Sequence, residues 1–227
     1  MTCASVSRFA AGLLSGPPRS GRALGHGYIR FEDDVVAITP PGALRMPNGI
    51  ECSLELSVGE TVSIGNGELR TATSVAVDSG RRWDARPTPR YRLAVWPRPE
   101  IDPESLAGRG PGLTPLGDDI LVGFLAAATL AGQDVRADAE GAANDTTALS
   151  ATLLRLAAQG ELPEAAHRLL EDGEIGPLLG FGHTSGAGMA LGLALAAQSK
   201  EDTAARGVPL DVDGRHFRLR IVEQAPC

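Results

Sequence analysis

The patterning of apolar residues changes once along this chain, and that change restricts the fold more than any other feature. Residues 28–98 contain short β-branched or alternating runs separated by Asp, Gly and Pro, as in half-buried strands. From Asp119 onward, apolar residues recur at helical spacing instead. The sequence therefore predicts an α+β fold, in which a mostly antiparallel β-sheet or partly closed barrel precedes an Ala/Gly-rich helical layer.

Seven strands are predicted, and the last of them follows the helical layer. The segment from Ile64 to Glu68 resembles a hairpin turn, because Asn66 and Gly67 tolerate the positive φ angles of such turns. His216–Val222 alternates apolar with polar residues, so this strand is predicted to be half-buried and to return to the sheet. The six earlier strands are Tyr28–Phe31, Val35–Thr39, Ile50–Leu56, Thr61–Ile64, Ser74–Val77 and Tyr91–Trp96.

Four helices are predicted in the second part of the chain, and their cores contain few aromatic residues. Gly132, Gly160 and Gly173 stand where helix C-caps are expected. We expect a flexible N-terminal segment over residues 1–27, a β-rich part over 28–98 and a mainly helical part over 99–227. The predicted helices are Ile120–Ala131, Thr147–Gln159, Pro163–Glu171 and Ser185–Gln198.

Composition argues against several classes of function. The net charge is -7, which disfavours nucleic acid, because a phosphate backbone draws binding affinity from clustered Lys and Arg. Phe9–Leu14 is too short for a signal-peptide core, and Leu121–Ala131 is about half of the ~20 residues that a membrane span needs. Cys3, Cys52 and Cys227 have no metal or disulfide spacing. We expect a cytoplasmic protein with a small anionic substrate and no nucleic-acid or membrane partner.

The segment Gly108–Asp119 concentrates glycine, proline, hydroxyl and carboxylate directly before an apolar helix. Glycines let a ligand approach the backbone closely, and prolines fix the path of the loop. At a helix N-terminus, unpaired N–H groups and the helix dipole favour an anion. This first loop therefore predicts a phosphate or carboxylate site with the ligand-binding residues Gly110, Gly112, Thr114 and Gly117.

The adjacent carboxylates Asp118 and Asp119 have two interpretations. They would repel an anion unless a cation lies between them, so the pair suggests a catalytic role and a Mg²⁺ site, since Mg²⁺ prefers oxygen ligands. Alternatively, Asp118 caps the helix and Asp119 complements its dipole. The sequence leaves both interpretations open.

A second loop, Gly180–Gly192, also leads into a helix. His183 can exchange a proton near neutral pH, which makes it a third candidate catalytic residue. Thr184, Ser185 and Gly186 are predicted to bind the ligand or, for the hydroxyls, to cap the helix. The alternatives are that His183 only packs or caps, and that the glycines only permit close helix packing. If the two helices are neighbours, both loops open onto one pocket.

Three motifs together resemble a bacterial family that includes AllH, a subunit of oxamate carbamoyltransferase. They are G-x-G-P-G-L-T-P-L-G-D-D-I-L-V-G from Gly108, Thr146-Thr147-Ala148-Leu149-Ser150, and G-H-T-S-G-A-G-M-A-L-G from Gly182. The resemblance runs from about Tyr28 to Leu195 and includes Met46-Pro47-Asn48-Gly49-Ile50. One departure concerns Leu116, which stands where a small polar residue is expected, so one hydroxyl contact to the ligand is missing.

The resemblance implies carbamoyl transfer, in which oxalurate and phosphate interconvert with oxamate and carbamoyl phosphate, alongside two other types of subunit. It carries over no catalytic residues. The leading hypothesis is therefore a carbamoyltransferase-type subunit that binds a phosphate- or carboxylate-bearing ligand, with the aid of His183 and Mg²⁺. The alternatives are a non-catalytic assembly or regulatory subunit and a stand-alone metal-dependent hydrolase.

Overall fold

The computed structural model describes residues 1–25, 27–96, 105–197 and 207–224, and the chain divides into two compact units. The first unit, Met1–Ala85, is built on a curled sheet, and the second, Arg86–Cys227, is mainly helical. The predicted α+β class is confirmed.

The first unit contains a nine-stranded sheet in the order β8-β7-β6-β2-β3-β4-β5-β1-β9. Its pairs are antiparallel except for β4 with β5 and β1 with β9. Alternate residues of the strands, such as Ile29, Phe31 and Ile64, are fully buried, as the period of two requires. The strands are β1 (Ser5–Ser7), β2 (Arg19–Gly25), β3 (Tyr28–Phe31), β4 (Asp34–Thr39), β5 (Gly49–Glu51), β6 (Thr61–Gly65), β7 (Glu68–Arg70), β8 (Val75–Val77) and β9 (Arg82–Trp83).

The predicted hairpin turn joins β6 to β7, with φ of 52° at Asn66 and 81° at Gly67. The predicted strand Ile50–Leu56 is regular only over β5. Beyond Glu51 the segment has no strand pairing, although Leu54 and Leu56 are buried. The alternation of apolar residues continues beyond the last paired residue, so the strand predicted from the sequence is longer than the observed one.

The expectation of a flexible segment over residues 1–27 is wrong for most of its length. The segment contributes β1, β2 and the helix α1 (Arg8–Ser15), while His26 lies outside the described residues. Ser7 caps α1 by accepting a hydrogen bond from the Ala10 N–H at 3.2 Å. Leu14 is fully buried in the core of the first unit. Packing of this short apolar run against the sheet gives the segment regular structure.

The second unit contains six helices in its described part. The four predicted helices are present, although Gln198 lies outside the described residues. Gly173 ends one of them with a left-handed φ of 75°, as its sequence position indicated. Two short helices were not predicted. The helices are α2 (Leu116–Leu130), α3 (Arg136–Ala143), α4 (Ala148–Ala157), α5 (Glu164–Asp172), α6 (Gly176–Leu179) and α7 (Ser185–Ala197).

A three-stranded antiparallel sheet completes the second unit. It consists of β10 (Tyr91–Trp96), β11 (Val208–Val212) and β12 (Arg215–Glu223), with β12 in the centre. The final strand thus returns to Tyr91–Trp96 as a partner, but the two belong to a sheet separate from the nine-stranded one. None of the described helices has the length and hydropathy needed to span a bilayer.

Helices α2 and α7 pack at backbone contact through glycine. A Cβ atom on Gly123 would overlap the Met189 carbonyl oxygen, and one on Gly192 would overlap the Ile120 carbonyl oxygen. Only glycine allows this approach, which brings together the N-terminal ends of both helices and the loops that precede them.

Gly192→Ala is therefore expected to destabilise the protein by about 2–3 kcal/mol, because the added methyl group must force the two backbones apart. Gly141→Ala is the matched control. It lies in α3 with open space around the added atom, so it should stabilise the protein by about 0.4–1 kcal/mol. Thermal unfolding of both variants measures the difference. Equal melting temperatures would show that the helices are not in backbone contact.

Candidate functional site

The two glycine-rich loops converge in the second unit, as predicted. The Thr114 hydroxyl of the first loop lies 3.2 Å from the Ser185 hydroxyl of the second. A cavity of about 710 Å³ opens between the loops and the turn that joins β11 to β12. It is lined by Ser105, Leu106, Arg109, Gly110, Pro111, Gly112, Leu116, Gly117, Ile120, His183, Thr184, Leu191, Val212, Asp213, Arg215 and Phe217.

Asp118 is buried and joins three segments of the site. Its Oδ1 accepts a hydrogen bond from the Gly108 N–H at 2.8 Å, and its Oδ2 accepts one from the Thr146 hydroxyl. The residue before α2 is Pro115, and no side chain caps this helix. The capping interpretation of Asp118 is therefore wrong. Through these two hydrogen bonds, the Asp118 carboxylate links the first loop and the residues before α4 to helix α2.

Asp119 is equally buried, but its environment differs. Its side chain is 1% exposed, and within the described part of the chain its Oδ2 has no hydrogen-bond partner. Burial raises the pKa of Asp119 to about 7, against a hydrogen bond from Ser185 that lowers it, and the nearby Asp118 raises it further. Asp119 can therefore gain or lose a proton near neutral pH.

The glycines of α7 make room for this carboxyl group. A Cβ atom on Gly188 would lie 2.9 Å from the Asp119 Cβ and 3.0 Å from Leu116 Cδ1. Close helix packing and a buried, titratable carboxyl group thus have the same structural cause.

The comparison with protein families identifies the part of the chain that carries this site. Residues 106–197 match the family of oxamate carbamoyltransferase subunit AllH. We call this range the AllH segment. It contains both loops and helices α2 to α7, and the resemblance predicted from the motifs is confirmed over it. No curated protein and no solved structure matches the chain.

The predicted ligand-binding residues fall into three groups within the AllH segment. Gly110, Gly112, Gly117 and Thr184 line the cavity, and the first two have φ of 118° and 101°. Thr114 and Ser185 form the hydroxyl pair beside Asp119. Gly186 packs instead, because a Cβ atom there would overlap the Leu178 carbonyl oxygen.

Three N–H groups at the start of α2, where the sequence suggested an anion site, already have partners in the chain. The Gly117 N–H donates to the Arg109 carbonyl at 2.9 Å. The N–H groups of Asp118 and Asp119 donate to the Pro115 carbonyl at 2.9 and 3.1 Å. These donors are occupied within the chain, so an anion in the cavity has to be neutralised mainly by side chains.

The donor set around the two aspartates gives little support for Mg²⁺. Both oxygens of Asp118 already accept hydrogen bonds from the chain. Asp119 has a pKa near 7, so at neutral pH protons compete with any cation for its carboxylate. Within the described ranges, no group of three His, Cys, Asp or Glu side chains could hold a metal ion. The Mg²⁺ site stays a prediction.

The hydrogen bond from Thr146 to Asp118 and the contribution of the β11–β12 turn to the cavity were not predicted from the sequence. Of the two adjacent threonines, Thr147 caps α4 by accepting a hydrogen bond from the Ser150 N–H at 3.1 Å, and Thr146 donates to Asp118. Arg215 and Phe217 lie outside the AllH segment, in a strand whose alternating pattern indicated only half-burial. No motif marked these residues.

His183 is exposed on the cavity wall within the AllH segment. If it donates a hydrogen bond to an anionic ligand, His183→Ala should weaken phosphate binding by about tenfold, and His183→Gln, which still donates a hydrogen bond, should weaken it less. Calorimetry of the native protein and both variants with inorganic phosphate measures this. Equal affinities in all three proteins would assign His183 to the structure of the loop.

Proposed function

We propose that this chain is a subunit of a carbamoyltransferase, and that its cavity binds a ligand of the oxamate, oxalurate and carbamoyl phosphate class. The observation that carries the proposal is the buried Asp119 carboxyl group with an unpartnered oxygen, between two loops of the AllH segment. A polar atom buried without a partner costs stability, and such atoms concentrate at functional sites.

The proposed reaction requires a proton acceptor. The amide nitrogen of oxamate attacks the carbonyl carbon of carbamoyl phosphate, the bond from that carbon to the phosphate oxygen breaks, and inorganic phosphate leaves. The attacking nitrogen loses one proton. A base whose pKa lies near the working pH is the most effective acceptor, and Asp119 has a pKa of about 7.

Asp119 does not line the cavity, so the proton would pass through hydroxyl groups. Ser185 bonds to Asp119 and lies 3.2 Å from Thr114, which is half-buried in the loop that walls the cavity. Each hydroxyl can accept one proton as it releases another. In this proposal, Ser185 and Thr114 relay the amide proton to the Asp119 carboxylate.

The role of Asp118 is different in the proposal. Its bonds to Gly108 and Thr146 hold the first loop against α2 and keep Asp119 at a fixed distance from Ser185. Because carbamoyl transfer depends on the placement of two reactants, a rigid loop contributes to the rate through positioning. We also propose that other subunits complete the enzyme, as the name of the matching family implies.

Calorimetric titration of the isolated chain with oxamate and with carbamoyl phosphate tests the proposal. We expect at least one of them to bind, and Thr184→Ala to weaken that binding by about tenfold, since Thr184 lines the cavity and its hydroxyl can donate one hydrogen bond to a ligand oxygen. Thr88→Ala, which removes an exposed hydroxyl of the same unit that does not line the cavity, is the matched control. If a folded chain binds neither compound, the non-catalytic assembly or regulatory role is favoured instead.

A further inference from the structure

We infer that the cavity selects an amphiphilic anion, a carboxylate or phosphate on a partly apolar body, held by Arg109 and Arg215 at its charged end and by an apolar floor at the other. This inference rests on the proposed function for the place of the ligand, and it goes beyond that function in the class of ligand, because oxamate and carbamoyl phosphate have no apolar body. It assigns a specificity role to residues outside the AllH segment.

The apolar floor is formed by side chains from two helices and one strand. Leu116 and Ile120 come from α2, Leu191 comes from α7, and Phe217 comes from β12. Ile120, Leu191 and Phe217 are between 1% and 7% exposed, so most of each side chain is packed in the core and a small part of it faces the cavity. Such a surface gains free energy only when apolar ligand atoms displace its water.

The charged wall consists of two guanidinium groups on separate elements. The Arg109 Nε–H donates to the Ser105 carbonyl at 3.3 Å. Among the described residues, the terminal nitrogens of Arg109 have no partner and can donate to a ligand. The Arg215 guanidinium group has no hydrogen-bond or ion-pair partner among the described residues. Asp213 is the one carboxylate among the described lining residues, so the wall carries a net positive charge.

The positive charge that faces an anionic ligand comes from these guanidinium groups. The N–H groups of Gly117, Asp118 and Asp119 at the start of α2 already donate to carbonyl groups of the chain. Arginine presents donors in a planar fork that matches the oxygens of a carboxylate or phosphate. The negative end of a ligand therefore belongs between Arg109 and Arg215.

The size of the cavity points to the same class of ligand. Its volume of about 710 Å³ lies within the range of roughly 300–1,000 Å³ that is typical of sites for larger organic ligands. A two-carbon acid such as oxamate would leave most of the apolar floor in water. A ligand that fills the cavity therefore extends from its charged group across the floor.

The turn between β11 and β12 positions this wall. The Gly214 N–H donates to the Asp211 carboxylate at 3.0 Å, and Asp213 and Gly214 adopt positive φ of 52° and 72°. This tight turn places Arg215 and Phe217, two residues apart on one strand, toward the same cavity. Charge recognition and apolar contact thus come from one strand.

Titration of the full chain with acetate, butyrate and hexanoate tests the inference. Affinity should rise about three- to fourfold for each methylene group that leaves water. Hexanamide, which has the same chain without the charge, should bind at least about tenfold more weakly than hexanoate. Equal affinities along the acid series, or equal affinities for hexanoate and hexanamide, would overturn the inference.

Variants identify the residues responsible. Arg215→Gln should lower affinity for hexanoate about tenfold and leave hexanamide binding unchanged. Arg218→Gln, an exposed arginine on the same strand that does not line the cavity, is the matched control and should change neither. If Arg215→Gln and Arg218→Gln have equal effects on hexanoate, Arg215 does not hold the anion and the inference fails.

The outcome is separable from that of the proposed function. A chain that prefers longer acids through Arg215 but supports no carbamoyl transfer contradicts only the proposed function. A chain that binds oxamate or carbamoyl phosphate without any dependence on chain length contradicts only the inference about the amphiphilic ligand. The ligand series uses the native protein, so an unfolded variant cannot obscure the result.

Discussion

Asp119→Asn is expected to stabilise the protein at about pH 8, whereas Asp118→Asn should destabilise it, although the two residues are adjacent. The folded-state pKa of Asp119, about 7, lies above the value of about 3.9 for an unfolded aspartate. The contribution of this group to stability is therefore complete below about pH 4 and is lost as the pH rises through about 7.

The size of the gain follows from that difference in pKa. About three pKa units correspond to roughly 4 kcal/mol by which the ionised carboxylate destabilises the folded state. Asparagine removes the charge but leaves an amide that needs partners, so we expect a net gain of about 1–3 kcal/mol. The melting temperature should rise by several degrees at about pH 8 and very little at about pH 4.

Asp118→Asn is expected to lower the stability, in contrast to Asp119→Asn, because both oxygens of Asp118 accept hydrogen bonds. The amide oxygen could still accept from the Gly108 N–H, but the amide nitrogen would face the Thr146 hydroxyl, which would have to change from donor to acceptor. Both charge-assisted hydrogen bonds would become weaker neutral ones. The expected cost is about 1–3 kcal/mol. Calorimetric melting of both variants at the two pH values measures their changes in stability. Equal losses of stability in both variants at about pH 8 would show that the ionised Asp119 carboxylate does not destabilise the folded state.

The rate of carbamoyl transfer is expected to rise about tenfold per pH unit below about pH 7 and to level off above it, since only ionised Asp119 can accept the proton. Ser185→Ala should lower the plateau, because the relay is broken. It should also move the midpoint to higher pH, because the Ser185 hydrogen bond lowers the pKa of Asp119. The pH profiles of the assembled native and variant enzymes measure both effects.

A profile that is flat between about pH 6 and about pH 8 would contradict the role of Asp119 as the proton acceptor. A lower plateau with an unchanged midpoint would show that Ser185 binds the substrate but does not interact with Asp119. Thr88→Ala again serves as the control, because it removes an exposed hydroxyl group that does not line the cavity.

The helical part of the fold could be predicted where the sequence had both periodicity and a stop signal. Gly132, Gly160 and Gly173 follow three of the predicted helices, and all three adopt positive φ. The helix α3 was missed because its residues are small or charged and give little periodicity. The helix α6 was missed because four residues are too few for a pattern.

The location of the site could be predicted, but the roles of its residues could not. Glycine-rich loops before two small-residue helices indicated convergence, which the contact between Thr114 and Ser185 confirms. The difference between Asp118 and Asp119 depends on contacts with Gly108, Thr146 and Ser185, which are distant in sequence. Two adjacent carboxylates cannot be told apart without those contacts.

The proposed role of Asp119 is tested most directly by the rate at which the assembled enzyme forms oxalurate from oxamate and labelled carbamoyl phosphate, with native chain or with Asp119→Asn. Asp119→Asn is expected to lower this rate by about 10²–10⁴-fold at about pH 8, the usual contribution of a positioned acid or base. Its folded state should be at least as stable as the native one. Equal rates from equally folded proteins would contradict the claim that this carboxyl group serves carbamoyl transfer.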